Sequence, residues 1–274
     1  MIDINNIKES FGMGDCRIID FFENDLSCYW VLQDKDKTLF VKIPYLSDPT
    51  IGLDSKERRW VDYVSKTFPA FRWRKKADSI KDLIAKEART LRLWNESNID
   101  SPQLFCANSE LISTVFMEGT DYRVLLEKGM NERDIGRLCE TYLKTRESAL
   151  QKKDSDYLHS DPKLKNFLKC GDRCLAMDPA NLLNTGLSVE ELDGGLSLYF
   201  LYGAYTLNTE RANIERLVSR MIASFNREDR IRLSELNLQL CLERAKFPDL
   251  AGYRYTFDNY SIENIELTRK LFRR

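Results

Sequence analysis

Hydrophobic and polar positions change rhythm along this chain. Arg17 to Phe22, Tyr29 to Gln33 and Thr38 to Ile43 are short runs dense in aromatic and β-branched residues, which predicts three strands. Asp34-Lys35-Asp36-Lys37 supplies the turn between the last two. From Ser79 the period lengthens: Ile80, Leu83, Ile84, Leu91 and Trp94 share one face of a helix that Ser79 can cap. Gln103 to Ala107 and Leu111 to Met117 return to strand character around an Asn-Ser turn. Ile135, Leu138, Cys139, Tyr142 and Leu143 then recur at i, i+3 and i+4 after a capping-box-like start at Asn131 and Asp134. A hairpin follows, with Phe167-Leu168 and Cys174 to Met177 on either side of Gly171-Asp172. Val189 to Tyr205, Glu210 to Phe225, Glu228 to Ala245 and Ser261 to Phe272 read as helices, with Ser188 as cap of the first. The expected class is α+β: a β-rich part with one helix over residues 1–118, and a mainly helical part over 119–274.

Composition narrows the setting. With 274 residues and a net charge of −1, nothing in the overall charge points to a nucleic-acid binder. No apolar run is long enough to span a bilayer, and the first ten residues lack the basic and apolar regions of a signal peptide, so the expected location is the cytoplasm. The seven cysteines are an odd number without C-x-x-C spacing, which predicts reduced structural thiols. Cys170 and Cys174 flank the predicted turn, but no histidine nearby completes a metal set.

Chemistry concentrates between His159 and Asp178. His159, Asp161 and Asn166 fit H-x-D-x-x-x-x-N, and a hydrophobic strand then ends in Asp178-Pro179. This resembles the catalytic loop and metal-binding aspartate of the protein-kinase-like superfamily, whose second motif is usually D-F-G. The resemblance implies a bilobal kinase-like fold that uses ATP and Mg2+. It makes Asp161 the catalytic base, Asn166 and Asp178 the magnesium ligands, and Lys163 the cation that neutralises the transferred phosphate. Leu39-Phe40-Val41-Lys42-Ile43 resembles the V-A-I-K strand, which implies that Lys42 meets the nucleotide phosphates. Taken alone, Lys42 reads as an exposed lysine on an edge strand. Glu87 lies on the apolar stripe of KEARTLRLW, where a carboxylate is costly unless paired. The resemblance pairs it with Lys42; a basic residue of its own helix is the other reading. Phe116-Met117-Glu118-Gly119 resembles the hinge between lobes, where the backbone of Met117 and Glu118 would hold adenine. The Glu23 to Ser27 loop has no glycine, so phosphate contact there falls to backbone and Ser27.

Two further features bear on the acceptor. No A-P-E motif follows Asp178, and little chain is available for a peptide platform before Ser188. That favours a small molecule or glycan. Residues 46–78 form an insertion whose stretch from Lys56 to Lys76 carries eight basic residues against Glu57 and Asp62, interleaved with aromatics such as Trp60 and Trp73. Such a segment suits an anionic acceptor or membrane surface, or else is a solvated basic face. The loop, the KEARTLRLW helix and the size look most similar to bacterial lipopolysaccharide kinases acting on Kdo or heptose. That likeness implies a sugar or glycolipid acceptor and peripheral contact with the inner face of the cytoplasmic membrane. A RIO-like protein kinase and a pseudokinase scaffold remain open alternatives.

Overall fold

The computed structural model describes residues 16–23, 27–34, 37–45, 59, 62–64, 66–75, 77–179, 181–207, 209–244, 246 and 262–273. The centre of the glycine-free loop (Asn24 to Leu26), the Lys35-Asp36 turn, and Lys56, Glu57, Arg58, Trp60 and Lys76 lie outside them. Five antiparallel strands form the first sheet: β1 (Arg17–Glu23), β2 (Ser27–Asp34), β3 (Lys37–Pro44), β4 (Leu104–Ala107) and β5 (Ile112–Val115), in the order β1-β2-β3-β5-β4. Leu32, Leu39, Val41 and Ile43 bury one face of it. The helix α1 (Ile80–Glu96) enters between β3 and β4, and Ser79 caps it by accepting the Asp82 N–H, as its sequence indicates.

The chain then turns to helices: α2 (Tyr122–Glu127), α3 (Glu132–Lys152), α4 (Val189–Gly203), α5 (Arg211–Ser224), α6 (Arg227–Arg244) and α7 (Ile262–Phe272). A second sheet of β6 (Thr120–Asp121), β7 (Phe167–Cys170) and β8 (Arg173–Ala176) sits between α3 and α4 in sequence apart from β6. The α+β class and the order, sheet first and helices after, are as the sequence predicts. Asn131 caps α3, but Asp134 does not complete a capping box; its carboxylate pairs with Lys169 at 2.8 Å. Ser188 and Glu191 do form a full box at the start of α4.

Two sets of contacts position the site. Firstly, α1 is fastened to the segment that precedes the His159 to Asn166 loop. Trp94 donates its indole N–H to the Tyr157 carbonyl at 2.8 Å, and Lys86 meets Asp156 at 2.6 Å. Secondly, residues 68–75 of the basic insertion leave the sheet and dock on α4. Phe68, Phe71 and Trp73 are buried in the same core as α3 and α4. Lys75 N–H donates to Leu182 O, and Asn184 N–H to Trp73 O, so this stretch also pairs with the chain after Asp178. Arg59, Lys66, Arg72 and Lys75 remain exposed.

Gly195 of α4 makes the second docking possible. A Cβ there would lie 1.9 Å from the Ala70 carbonyl oxygen, so backbone would have to move. Gly195→Ala is therefore expected to destabilise the protein by about 1–3 kcal/mol, more than the ~1 kcal/mol gained in helix propensity. Gly194→Ala is the control, because its Cβ would meet only side-chain atoms, the Arg232 Nη1 at 3.2 Å and the Leu236 Cδ2 at 3.4 Å, and no backbone atom at these distances. Thermal unfolding of the two variants checks this; equal melting temperatures would refute it.

Candidate active site

Lys42 lies on central strand β3, with Tyr29 and Ile112 as its cross-strand partners, and is 4% exposed. It is not an edge lysine. Its Nζ donates to Glu87 Oε2 at 2.8 Å and to the Asp178 carboxylate. Burial alone would lower the lysine pKa, but Asp178 and Glu87 more than offset this and hold it well above its ordinary value. Burial pushes the Glu87 carboxyl up against the pull of Lys42, and Asp178 adds to the push. One cation thus faces two carboxylates, leaving a negative charge over. Asp178 is the outlet for it, with a side chain 37% exposed where that of Glu87 is 7%.

The hairpin delivers Asn166 beside Asp178. Phe167 pairs with Ala176 across β7 and β8, and Met177 N–H donates to the Asn166 carbonyl at 2.8 Å. Asp178 itself has φ 51°, a left-handed conformation that aspartate tolerates better than most residues but that a following proline disfavours. Backbone held this way clusters at functional sites. Asn166 uses its amide nitrogen on Asp161, reaching the backbone carbonyl at 2.8 Å and Oδ2 at 3.0 Å. Its amide oxygen is thereby turned away from Asp161.

Among the described residues no group of three or more His, Cys, Asp or Glu could hold a metal ion. Magnesium does not need one, since it binds through one or two protein oxygens with phosphate oxygens and waters. The unbalanced carboxylate of Asp178 and the amide oxygen of Asn166 fit that requirement.

Asp161 is gripped on every side. Its Oδ1 is 3.3 Å from the Tyr199 hydroxyl, 3.4 Å from Lys163 Nζ and 3.4 Å from an Arg74 guanidinium nitrogen. Burial pushes its pKa up, but Lys163, Arg74 and other cations prevail and lower it below the usual carboxylate value. His159 pins the loop from beneath. The Asp161 backbone N–H donates to His159 Nδ1 at 3.3 Å, and His159 Nε2 is 3.5 Å from the Asn166 carbonyl. With Nδ1 accepting, the imidazole is the neutral Nε2–H tautomer. Burial lowers its pKa to about 4, against the pull of Asp161 in the other direction.

That histidine gives a signed pH effect. Its folded pKa lies below the ordinary ~6.5, so between those values the unfolded chain binds the extra proton. The stability it supplies is complete above about pH 6.5 and is lost as pH falls towards 4, by about 3 kcal/mol in all. His159→Asn should flatten the fall in melting temperature over this window relative to wild type. Parallel curves for the two proteins would exclude it.

Of the other expected residues, Ser27 is 2% exposed at the start of β2, opposite Pro44, which leaves its hydroxyl little surface for a phosphate. Met117 is half-buried. Glu118 is exposed and, with Val31, Thr38, Val115 and Phe116, lines an open cleft of about 560 Å³. Sequence reasoning did not single out Arg74 or Tyr199 as site residues. The adjacency of Trp73 and Arg74, an aromatic beside a guanidinium, was the available signal for the first; Tyr199 sits within an apolar helix with nothing local to mark it.

No family profile and no curated protein matches the chain. Among solved structures it is similar to the streptomycin and ATP complex of aminoglycoside phosphotransferase APH(2'')-IIa, at 9% identity and TM-score 0.46 over 98% of this chain and 99% of that one. The Rio2 kinase complex with ADP, Mg2+ and phosphoaspartate from Chaetomium thermophilum is similar at 11% identity and TM-score 0.45, over 97% and 75%. A choline/ethanolamine kinase family protein from Mesorhizobium loti follows at 12% and 0.40, over 93% and 87%. Likeness at this level says nothing of activity.

Proposed function

We propose that this protein is an ATP-dependent phosphotransferase that moves the γ-phosphate to a hydroxyl of a sugar or glycolipid, with the inner-core Kdo or heptose of lipopolysaccharide as the leading acceptor. The observation that carries the reading is a single connected set of polar groups. Glu87 holds Lys42, Lys42 holds Asp178, Asp178 adjoins the residue bonded to Asn166, and Asn166 holds Asp161.

In this reading Lys42 binds the phosphates of ATP, and Asn166 and Asp178 hold magnesium. The bound metal supplies charge neutralisation at the phosphate oxygens. Asp161 orients the acceptor hydroxyl and takes its proton. Lys163 is placed to neutralise the group in transfer, because its Nζ lies within 3.4 Å of the base. Glu118 borders the cleft proposed for the nucleobase, and Met117 precedes it in the chain. A small acceptor is favoured because only nine residues separate Asp178 from the cap Ser188. Leu182 to Asn184, among them, is committed to pairing with Trp73 to Lys75. Among the described residues no helix is long and apolar enough to cross a membrane, so a glycolipid acceptor would be met at the membrane surface.

The test is to incubate wild type and Asp161→Ala with Mg-ATP and a cell-envelope glycolipid extract, following acceptors and nucleotides by mass spectrometry. A saccharide gaining 80 mass units only with wild type supports the assignment (~80 for one phosphoryl group replacing a proton). Phosphate on protein alone would favour a RIO-like activity, and transfer of AMP would remove Asp161 from the role of base.

A further inference from the structure

The face of the first sheet that carries Lys42 also carries an aromatic patch. Directly opposite residues of neighbouring strands share a face, as do residues two apart on one strand. Tyr29 stands opposite Lys42, Phe22 stands opposite Tyr29, and Phe40 lies two residues before Lys42. The three rings therefore share the side of Lys42, Glu87 and Asp178, and not the side buried by Leu39 and Val41. They touch one another. The ring centroids of Phe22 and Tyr29 are 4.7 Å apart and nearly parallel at 15°, Tyr29 and Phe40 are 5.3 Å apart, and Phe22 and Phe40 6.1 Å. Tyr29 and Phe40 are half-buried, and Phe22 is 45% exposed.

The patch has a cation at one end and an opening at the other. Val31, opposite Phe40, and Thr38, two residues before it, both line the cleft that Glu118 borders. A bulge between Ile18 and Asp20 brings the successive residues Ile19 and Asp20 to the same cleft, where a regular strand would present only one of them. Phe40 thus stands between the cleft and Lys42. Thr38 and Lys42 are about 13 Å apart at the rise of a strand, a length that a nucleoside triphosphate can span. At the phosphate end the sheet offers few contacts. The Glu23 to Ser27 loop has no glycine, Ser27 is buried, and Lys42 already answers two carboxylates. Binding must then come largely from the base end, where a ring face is what the strands present.

We infer that Phe22, Tyr29 and Phe40 form a stacking surface for the base of the bound nucleotide, with Phe40 as the inner ring and Phe22 as the outer one, so that rings hold one end of ATP while Lys42 meets the other. The place of the phosphates rests on the phosphotransferase reading, whereas the ring surface binds a nucleotide with or without transfer. Stacking of this kind acts on the face of the base and asks little of its edge.

Mg-ATP and magnesium tripolyphosphate, which keeps the phosphates and lacks the base, are titrated calorimetrically into wild type, Phe22→Leu, Phe40→Leu and Phe22→Tyr. Phe21→Leu is the control. Phe21 neighbours Phe22 on the same strand and is 49% exposed, but it packs on Trp30 at the opposite face of the sheet. Phe22→Leu and Phe40→Leu are each expected to weaken ATP by about fivefold or more, the value of one stacked ring, and to leave tripolyphosphate within about twofold. Phe22→Tyr and Phe21→Leu keep the wild-type affinity. Because Phe22 is on the edge strand and exposed, its variant decides the matter if Phe40→Leu does not fold. ATP affinity unchanged in the leucine variants, an equal loss in Phe21→Leu, a parallel loss for tripolyphosphate, or no ATP binding by wild type overturns the inference. Ring-dependent ATP binding with no ADP formed from the glycolipid extract supports the stacking surface and sinks the phosphotransferase reading. ADP formed with one KM for ATP in wild type and both leucine variants does the reverse.

Discussion

Asp161→Asn is expected to lower kcat for phosphoryl transfer by about 10²–10⁴-fold, the contribution of a positioned general base, while the KM for ATP changes by less than about threefold. The split follows from the two halves of the site. The Lys42, Glu87 and Asp178 cluster is held by its own ion pairs, none of which includes Asp161. The asparagine keeps the size of the aspartate and can still accept from Asn166 or Tyr199 through its amide oxygen, so the loop retains most of its anchorage. What disappears is the carboxylate proposed as proton acceptor, which is also an ion-pair partner of Arg74 and Lys163. Steady-state ADP release at saturating acceptor measures it. A variant within fivefold of wild type would mean that Asp161 is not the base. Because nearby cations lower the Asp161 pKa, protonation of this residue should not limit activity at mildly acidic pH; an acidic fall there would track His159 and the fold instead.

Asp193→Ala is expected to cost about 3–5 kcal/mol of stability, the range for breaking a buried ion pair from one side. Asp193 on α4 is fully buried and receives the Arg146 guanidinium of α3 through two bonds, of 2.6 and 2.8 Å, and Arg232 of α6 at 2.6 Å. Asp229 closes the set, 3.1 Å from Arg146 and 3.0 Å from Arg232. Two arginines and two aspartates thus cancel. Removing one aspartate leaves Arg146, 2% exposed, with half its compensation. For a chain of this length the loss corresponds to a melting temperature lower by roughly 10 °C. Calorimetry would show it, and a fall below 3 °C would disprove the argument. Activity measured well below the transition should survive, in contrast to Asp161→Asn.

What is legible in the sequence is whatever the chain keeps local. The stretch from His159 to Asp178 spans one loop and one hairpin, so its spacing alone determines which side chains meet, and Asn166 and Asp178 do emerge at one end. The strands around Lys42 were equally plain, because a run such as Leu39 to Ile43 has one structure in which its alternation makes sense. Glu87 was legible for a different reason: a carboxylate on an apolar stripe demands a partner, although only the fold could choose Lys42 over a neighbour on the same helix. Arg74 was not legible as a site residue. Its position depends on Gly195, more than a hundred residues away, being too small to exclude the Ala70 carbonyl. Ser27 illustrates the opposite limit, since its place beside a glycine-free loop suggested contact with phosphate and the sheet buries it. Asp134, placed three residues after Asn131 as capping requires, is drawn off by Lys169 of β7.

The bonds from Trp94 and Lys86 to Tyr157 and Asp156 bear on how such a protein could be governed. Glu87 lies on the same helix as both anchors, one residue after Lys86, and the anchored segment runs directly into His159 and Asp161. The helix and the loop are therefore tied through both bonds, and a displacement of one is passed to the other. If the site transfers phosphate, anything that moves α1 changes the Glu87 pairing with Lys42 and the setting of Asp161 in the same stroke.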